Sequence, residues 1–356
     1  MRSIAGLCEA LVKSGQHVIV YTTTANGKTE LDVNSNEYYN IEGVQVKYFK
    51  RLTGDHSHFS PVLVRKVFSD CKKYDVVHIQ SWWNFVAIGS AMACLSRGVI
   101  PVISPRGSLT KFTFQYRRSR LKKWLHMLAG KALLEKSIIH TTSNQEQTEI
   151  KQFIKAKKIY VIPNILELPE RIYGKPLDEG LLKLIFIGRI DPAKNIEMLL
   201  HVLTSKVKIP YQLNIVGEGP HEYVNELKIT TRDHHNIFWT GNKDGDEKFK
   251  MIAEADLLLL PSLTENFGNV IFESLSQGTA VLISSNVGAK DFIVENQLGW
   301  VIEIDEDSLA SAINNIWDHK ADLSRIRKTA PAIITHHFDP RMLVKEYVSM
   351  YSNVIE

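Results

Sequence analysis

Along nearly the whole chain, short apolar runs alternate with longer stretches in which apolar residues recur every third or fourth position. In the first half the runs are "HVIVYTT", "VQVKYF", "DVVHIQ", "PVISP", "SIIHTT" and "KIYVIP". In the second half they are "LKLIFIG", "YQLNIVG", "NIFWTG", "DLLLLP", "TAVLIS" and "GWVIE". Continuous apolar runs of this length read as strands buried on both faces. The segments between them, at 61–73, 84–97, 119–135 and 143–154 in the first half, read as helices. Strands alternating with helices predict parallel sheets with helices on both faces. Two such series predict an α/β chain with two doubly wound, Rossmann-like domains, whose ligands bind at the carboxyl ends of the strands.

The break between the series falls in "PNILELPERIYGKPLDEGL", which has three prolines and two glycines and no period. We expect domains at 1–163 and 182–337 with a linker at 164–181. A last helix, "DPRMLVKEYVSMY", follows a loop containing Asp and Pro. The 356 residues suit two domains, and the 44% hydrophobic and 23% charged composition is globular. No run of eighteen apolar residues is present. The start, "MRSIAGLCEALVKSG", carries charges through its apolar part and shows no cleavage site. Cys8, Cys71 and Cys94 are far apart without CxxC spacing, which fits a reducing cytoplasm and no zinc or disulfide framework.

Chemistry concentrates in the second half. After the strand "DLLLLP", Pro261 stops the run and "LTENF" forms a loop. Gly268 then opens a helix, "GNVIFESLSQ", and Gly278 closes it. Glu265 therefore lies in the loop and Glu273 inside the helix. The free N–H groups near Phe267 to Val270 point out of the helix start and can bind an anion. Gly268 lets a ligand approach the backbone. A phosphorylated sugar would suit this block. Read alone, Glu273 could equally complement the helix dipole while Glu265 is solvated. A second block, "LIFIGRIDPAKNIEMLL", places Gly188, Arg189 and Lys194 after the first strand of this half. Two cations there can neutralise a diphosphate, or simply face water. The Gly-x-Gly of "LNIVGEGP", beginning at Gly217, reads on its own as a tight turn.

Taken together, "FIGRIDPAKN", "IVGEGP" and "ADLLLLPSLTENFGNVIFESLSQGTAVL" resemble the donor domain of the retaining nucleotide-sugar glycosyltransferases of family four. These have the GT-B fold, two doubly wound domains facing across a cleft. "GLCEALVKSGQHVIVYTT", "YDVVHIQS" and "VIPN" look like the family's acceptor domain, and 338–356 resembles the helix that returns to it. The family's Glu–seven residues–Glu signature is matched by Glu265 and Glu273. The resemblance implies that Glu273 binds the donor ribose and that Arg189 and Lys194 hold the diphosphate as catalytic groups. It implies that Glu265 contacts the sugar beside the anomeric carbon. Gly188, Gly217, Asn266, Phe267, Gly268, Asn269 and Val270 would line the donor. It implies no cofactor and no metal, the nucleotide sugar being a co-substrate.

Two departures bear on the first half. The family's opening strand and Gly-Gly loop are absent before "RSIAGLCEAL", so we expect the strands "HVIVYTT" and "DVVHIQ" to lack a shared neighbour. Residues 1–160 should then be less stable than 165–335. Many relatives carry a histidine after the strand matching "PVISP"; here Arg106 stands there. Arg106 and His78, at strand ends, are candidates for the acceptor or sugar side, with a buried, satisfied histidine an equal reading of His78.

Weaker signals remain. "DGD" at 244–246 resembles a metal-binding Asp-x-Asp, but Asp246 reads better as a helix cap. The pairs His56/His58, His234/His235 and His336/His337 lack a third ligand. Residues 106–136 hold nine Lys or Arg and one Glu, with Phe112, Phe114, Tyr116 and Trp124 interleaved. That stretch suits an anionic membrane surface, a phosphate-bearing acceptor or a solvated helix, and no motif supports nucleic acid. The expectation is a cytoplasmic transferase, peripheral on the inner membrane face. It would move sugar from a UDP- or GDP-sugar to a glycan or lipid-linked acceptor in bacterial surface polysaccharide assembly. The alternatives are a non-catalytic partner subunit on the same scaffold and a nucleotide-sugar epimerase.

Overall fold

The computed structural model describes residues 2–27, 29–55, 57–110, 130–174 and 180–355. The chain divides into two units, Met1–Ile165 with Asp339–Glu356, and Leu166–Phe338. Residues from 166 onward join the second unit: Tyr173 N donates to Gln277 Oε1 at 3.0 Å.

In the first unit the strands are β1 (Ile19–Thr23), β2 (Ala25–Asn26), β3 (Thr29–Glu30), β4 (Tyr38–Ile41), β5 (Val44–Phe49), β6 (His78–Gln80), β7 (Val102–Ser104), β8 (Ile138–Thr141) and β9 (Lys158–Val161). They form two main sheets. One has the order β1-β5-β4 and the other β6-β7-β8-β9, with β2 and β3 a separate hairpin. The second sheet is wholly parallel. β4 escaped the periodicity because it is mostly exposed. It is created by a two-residue turn, Glu42–Gly43, with φ of 49° and 83°, which folds Ile41 back opposite Val44. β1 and β6 each end their sheet, so one edge of each pairs with nothing among the described residues. Both nonetheless touch one apolar cluster: Tyr21 of β1 and Val77 beside β6 pack on Phe49, Leu63, Val67, Cys71, Ala93 and Cys94. Every residue of β1 is only half-buried. The carboxyl-terminal helix Pro340–Ile355 belongs to this unit and buries Leu343, Val344, Tyr347 and Met350.

The second unit is a single parallel sheet of β10 (Leu182–Ile187), β11 (Tyr211–Val216), β12 (Ile237–Gly241), β13 (Leu257–Leu260), β14 (Ala280–Ser284) and β15 (Gly299–Ile302). The order is β12-β11-β10-β13-β14-β15. β13 and β14 are buried at every residue, which is why they read as unbroken apolar runs. The chain first builds outward from β10 through β11 to β12, then returns to β13 and builds the other way. The order thus reverses between β10 and β13, and in open α/β sheets the carboxyl ends of the strands at such a reversal are where ligands bind.

Candidate active site

The loops that follow β10 and β13 meet at this switch point. After β10 comes Gly188, then Arg189, then Asp191, whose side chain accepts from Ala193 N at 2.9 Å and caps a short 3₁₀ turn, Pro192–Lys194. Asn195, at φ 54°, turns the chain into the helix Ile196–Ser205. After β13, Leu263 N donates to Ala193 O at 2.8 Å, joining the two loops through their backbones. Glu265 is held on both sides: its N–H donates to Asn286 O, and its carbonyl accepts from Gly288 N at 2.8 Å. Across the switch point, Lys194 Nζ is bonded to Glu265 Oε2, with side chains 17% and 20% exposed. Arg189 points outward, 77% exposed, and its Nε is paired with Asp191.

Gly217 and Gly219 prove to be more than a turn. Gly188 N donates to Val216 O and Ile190 N to Glu218 O, at 3.0 and 2.8 Å. A Cβ on Gly217, at φ 146°, would lie 1.9 Å from Gly188 O, and one on Gly219 would lie 2.0 Å from Ile190 O. The glycines let the loop after β11 lie flush against the loop that carries Arg189 and Lys194.

Gly268 sits at φ 77° as the residue before the helix Asn269–Ser276. A Cβ there would meet Ile271 Cδ1 at 2.7 Å and Glu265 Cγ at 3.3 Å. Phe267 turns its ring into the core, stacked on Phe272 at 4.7 Å, so only its backbone is available to a ligand. Glu273 does not stand alone. Lys248 Nζ, from the helix Gly245–Glu254, donates to Glu273 Oε1 at 2.8 Å, with side chains 9% and 17% exposed. The cap of that helix falls at Asp244; Asp246 is inside the first turn, where it complements the dipole, so the cap expected at Asp246 is corrected.

In the first unit, His78 has both ring nitrogens engaged. Nδ1 meets Tyr351 Oη at 2.8 Å and Nε2 meets Ser104 Oγ at 2.6 Å. Ser104 Oγ continues to His140 Nδ1 at 2.6 Å, and His140 Nε2 to Ile162 O at 2.9 Å. A carbonyl only accepts, so His140 carries its proton on Nε2. Burial pushes its pKa down to about 3. The ring is therefore neutral and its Nδ1 takes the Ser104 proton. Ser104 must then accept from His78 Nε2–H, and His78 Nδ1 accepts from Tyr351. Burial, then the neighbouring His140 and Arg106, hold His78 well below its ordinary value too. Arg106 follows β7 at φ 53°. Its Nε donates to Gln80 Oε1 at 2.8 Å and its Nη1 to Asn164 Oδ1. Its Nη2 is buried without a partner among the described residues.

Comparison with known proteins bears on family and fold. The Glycosyltransferase Family 4 pattern matches residues 2–168, and that of glycosyl transferases group 1 matches 169–332. An uncharacterised glycosyltransferase of Methanocaldococcus jannaschii is 25% identical over 99% of this chain and 93% of its own. A 41.2 kDa protein from the cps region of Klebsiella pneumoniae is 21% identical, over 96% and 97%. The crystal structure of Anabaena HepE with UDP and glucose superposes at a TM-score of 0.76, with 19% identity, over 99% of this chain and 96% of that one. The chain is a family-4-like glycosyltransferase of the GT-B fold.

In this glycosyltransferase the partner of Glu273, Lys248, was not anticipated from the sequence. In "GDEKFKMIAE" it looks like one more solvated cation. Its signal was positional: Lys248, Phe249, Ile252 and Ala253 form the buried stripe of the helix, and a lysine on an apolar stripe needs a partner. The basic stretch of the glycosyltransferase, 106–136, lies mostly outside the described residues, as does His56. No helix among the described residues is long and apolar enough to cross a membrane.

Proposed function

We propose that this glycosyltransferase moves a hexose from a nucleoside-diphosphate donor to a glycan or lipid-linked acceptor, with retention at the anomeric carbon. The observation that carries the reading is the Lys194–Glu265 pair lying across the switch point of the second unit. Lys194 meets the diphosphate and Glu265 the sugar, with Arg189 a second cation on the same loop. Departure of the nucleoside diphosphate builds negative charge on a phosphate oxygen. The lysine and the N–H groups at the start of the helix Asn269–Ser276 stabilise that charge more than the ground state. On this reading no divalent cation is required, and Glu265 orients the sugar while acceptor attack comes from the leaving group's own face. Glu273 receives the ribose hydroxyls.

The HepE crystal structure holds UDP and glucose, which favours a UDP-sugar, and the Klebsiella relative comes from a cps region, which favours polysaccharide assembly. The basic stretch 106–136 suits an anionic membrane surface. One observation favours the second reading, a non-catalytic partner subunit: among the described residues the main strands of the first unit are divided between two sheets, with β2 and β3 a separate hairpin.

The deciding experiment incubates the protein with UDP-, GDP- and ADP-sugars and follows release of free sugar, with and without EDTA. Slow donor hydrolysis that resists EDTA supports the enzyme, and no turnover of any donor supports the subunit. Glu273→Ala should weaken donor binding by ~1.5 to 3 kcal/mol, the worth of a hydrogen bond to a charged acceptor, as read by calorimetry. Unchanged affinity would remove Glu273 from the ribose.

A further inference from the structure

Lys248 is 7% exposed. The other buried residues of its helix are Phe249, Ile252 and Ala253. A lysine buried in such company is a poor way to gain stability. Replacing a buried ion pair by well-packed apolar groups is often neutral or stabilising. Its Nζ donates to Glu273 Oε1, at 2.8 Å. A glutamate side chain turns about three bonds, and an ionised carboxylate offers about four lone-pair sites. One oxygen fixed by Lys248 leaves the other free to accept from hydroxyls.

We propose that Lys248 is a positioning residue of the donor site: it holds the Glu273 carboxylate in the orientation that accepts the two ribose hydroxyls of a nucleoside diphosphate. The proposal rests on the donor-site reading of Glu273 given above. Lys248 itself does not touch the reacting atoms. Its contribution is selectivity for a ribose with both hydroxyls, so its loss removes the advantage of ribo- over dideoxyribonucleotides. Binding of the nucleotide's remaining parts is left as it was.

The test measures binding of UDP, GDP and ADP, each beside its 2′,3′-dideoxy counterpart, to the full chain by calorimetry. For the base that binds, the wild-type protein should prefer the ribonucleotide by about tenfold or more, as expected for hydrogen bonds to a charged group. Lys248→Met should bring that ratio close to one while leaving the dideoxy affinity within about threefold. Lys248→Arg, which keeps a cationic donor, should retain most of the preference. A thermal melt of each variant comes first; if Lys248→Met does not fold, Lys248→Gln takes its place against the arginine variant. A Met or Gln variant that keeps the wild-type ratio overturns the proposal, and so does one that loses affinity for both nucleotides equally. A wild type that binds both nucleotides equally removes Glu273 from the ribose and Lys248 with it, leaving the donor reading intact. A wild type that binds no nucleoside diphosphate overturns the donor reading and this one together.

Discussion

The sheets of the two units follow the same strand–helix rhythm and differ in how completely they are built. In the second unit six strands form one sheet, and β13 and β14 are buried at every residue. In the first, seven strands are shared between two sheets, and β1 is half-buried throughout. The polar chemistry differs in parallel. The second unit carries cation–carboxylate pairs at its strand ends, Lys194 with Glu265 and Lys248 with Glu273. The first buries a neutral relay through Tyr351, His78, Ser104 and His140. In the second unit, fully buried strands stand behind these charged pairs. In the other half, the sheet ends are joined by this relay, by Arg106, whose Nε donates to Gln80 at the end of β6, and by the returning carboxyl-terminal helix.

The contrast would be broken most severely by supplying a strand to the open edges of β1 and β6. A hydrogen bond gained by a backbone group that becomes buried is worth ~1 kcal/mol, and two strand edges offer several such groups. An upstream extension able to form an extended apolar strand should therefore raise the melting temperature of the first unit by several degrees. The second unit should be unmoved. Two-phase melting that becomes one cooperative transition would show it; identical melts with and without the strand would show that the edges need no partner.

A smaller blow reverses the contrast from the other side. Gly217→Ala puts a Cβ where Gly188 O already lies, and at a φ that side chains rarely adopt. We expect a loss of about 2 to 4 kcal/mol confined to the second unit, with donor binding lost as the Arg189–Lys194 loop is displaced. Denaturant titration with a tryptophan signal from Trp239 or Trp300 would locate the loss.

The smallest effect, read over a single pH unit below 6.5, sharpens the difference in polar chemistry. An unfolded histidine titrates near pH 6.5, whereas folded His140 stays neutral until about pH 3. The folded pKa is depressed, so the stabilisation is complete above pH 6.5. It is lost as pH falls from there toward 3, at about 1.4 kcal/mol per pH unit for such a group. Acid should thus loosen the first unit before the second. His140→Gln should flatten the dependence, and a first unit as acid-resistant as the second would contradict the neutral relay.

How far these features were legible in the sequence depended on the range of the interactions behind them. Strands buried on both faces announce themselves as apolar runs, so all six strands of the second unit were read correctly. β4 was not, because an exposed edge strand leaves no pattern beyond the Glu42–Gly43 turn. The signature carboxylates stood out because Glu265 and Glu273 share a short segment. Lys248, 25 positions from Glu273, did not, and neither did the contact of His78 with Tyr351, 273 positions away. Gly217 was visible as a turn glycine, but its close approach to Gly188 exists only once β10 and β11 lie side by side.

The pairing of these cations with carboxylates among the described residues has a consequence for kinetics. Arg189 has Asp191, Lys194 has Glu265 and Lys248 has Glu273. Beyond a few ångströms each pair is a dipole, and its field fades faster than that of a lone charge. The empty site should therefore do little to draw an anionic nucleotide from a distance. Its association rate should vary only weakly with ionic strength, unlike that of a cleft lined with bare cations. Attraction begins on contact, when the diphosphate competes with Glu265 for Lys194, and the salt dependence of binding should appear in how slowly the nucleotide leaves.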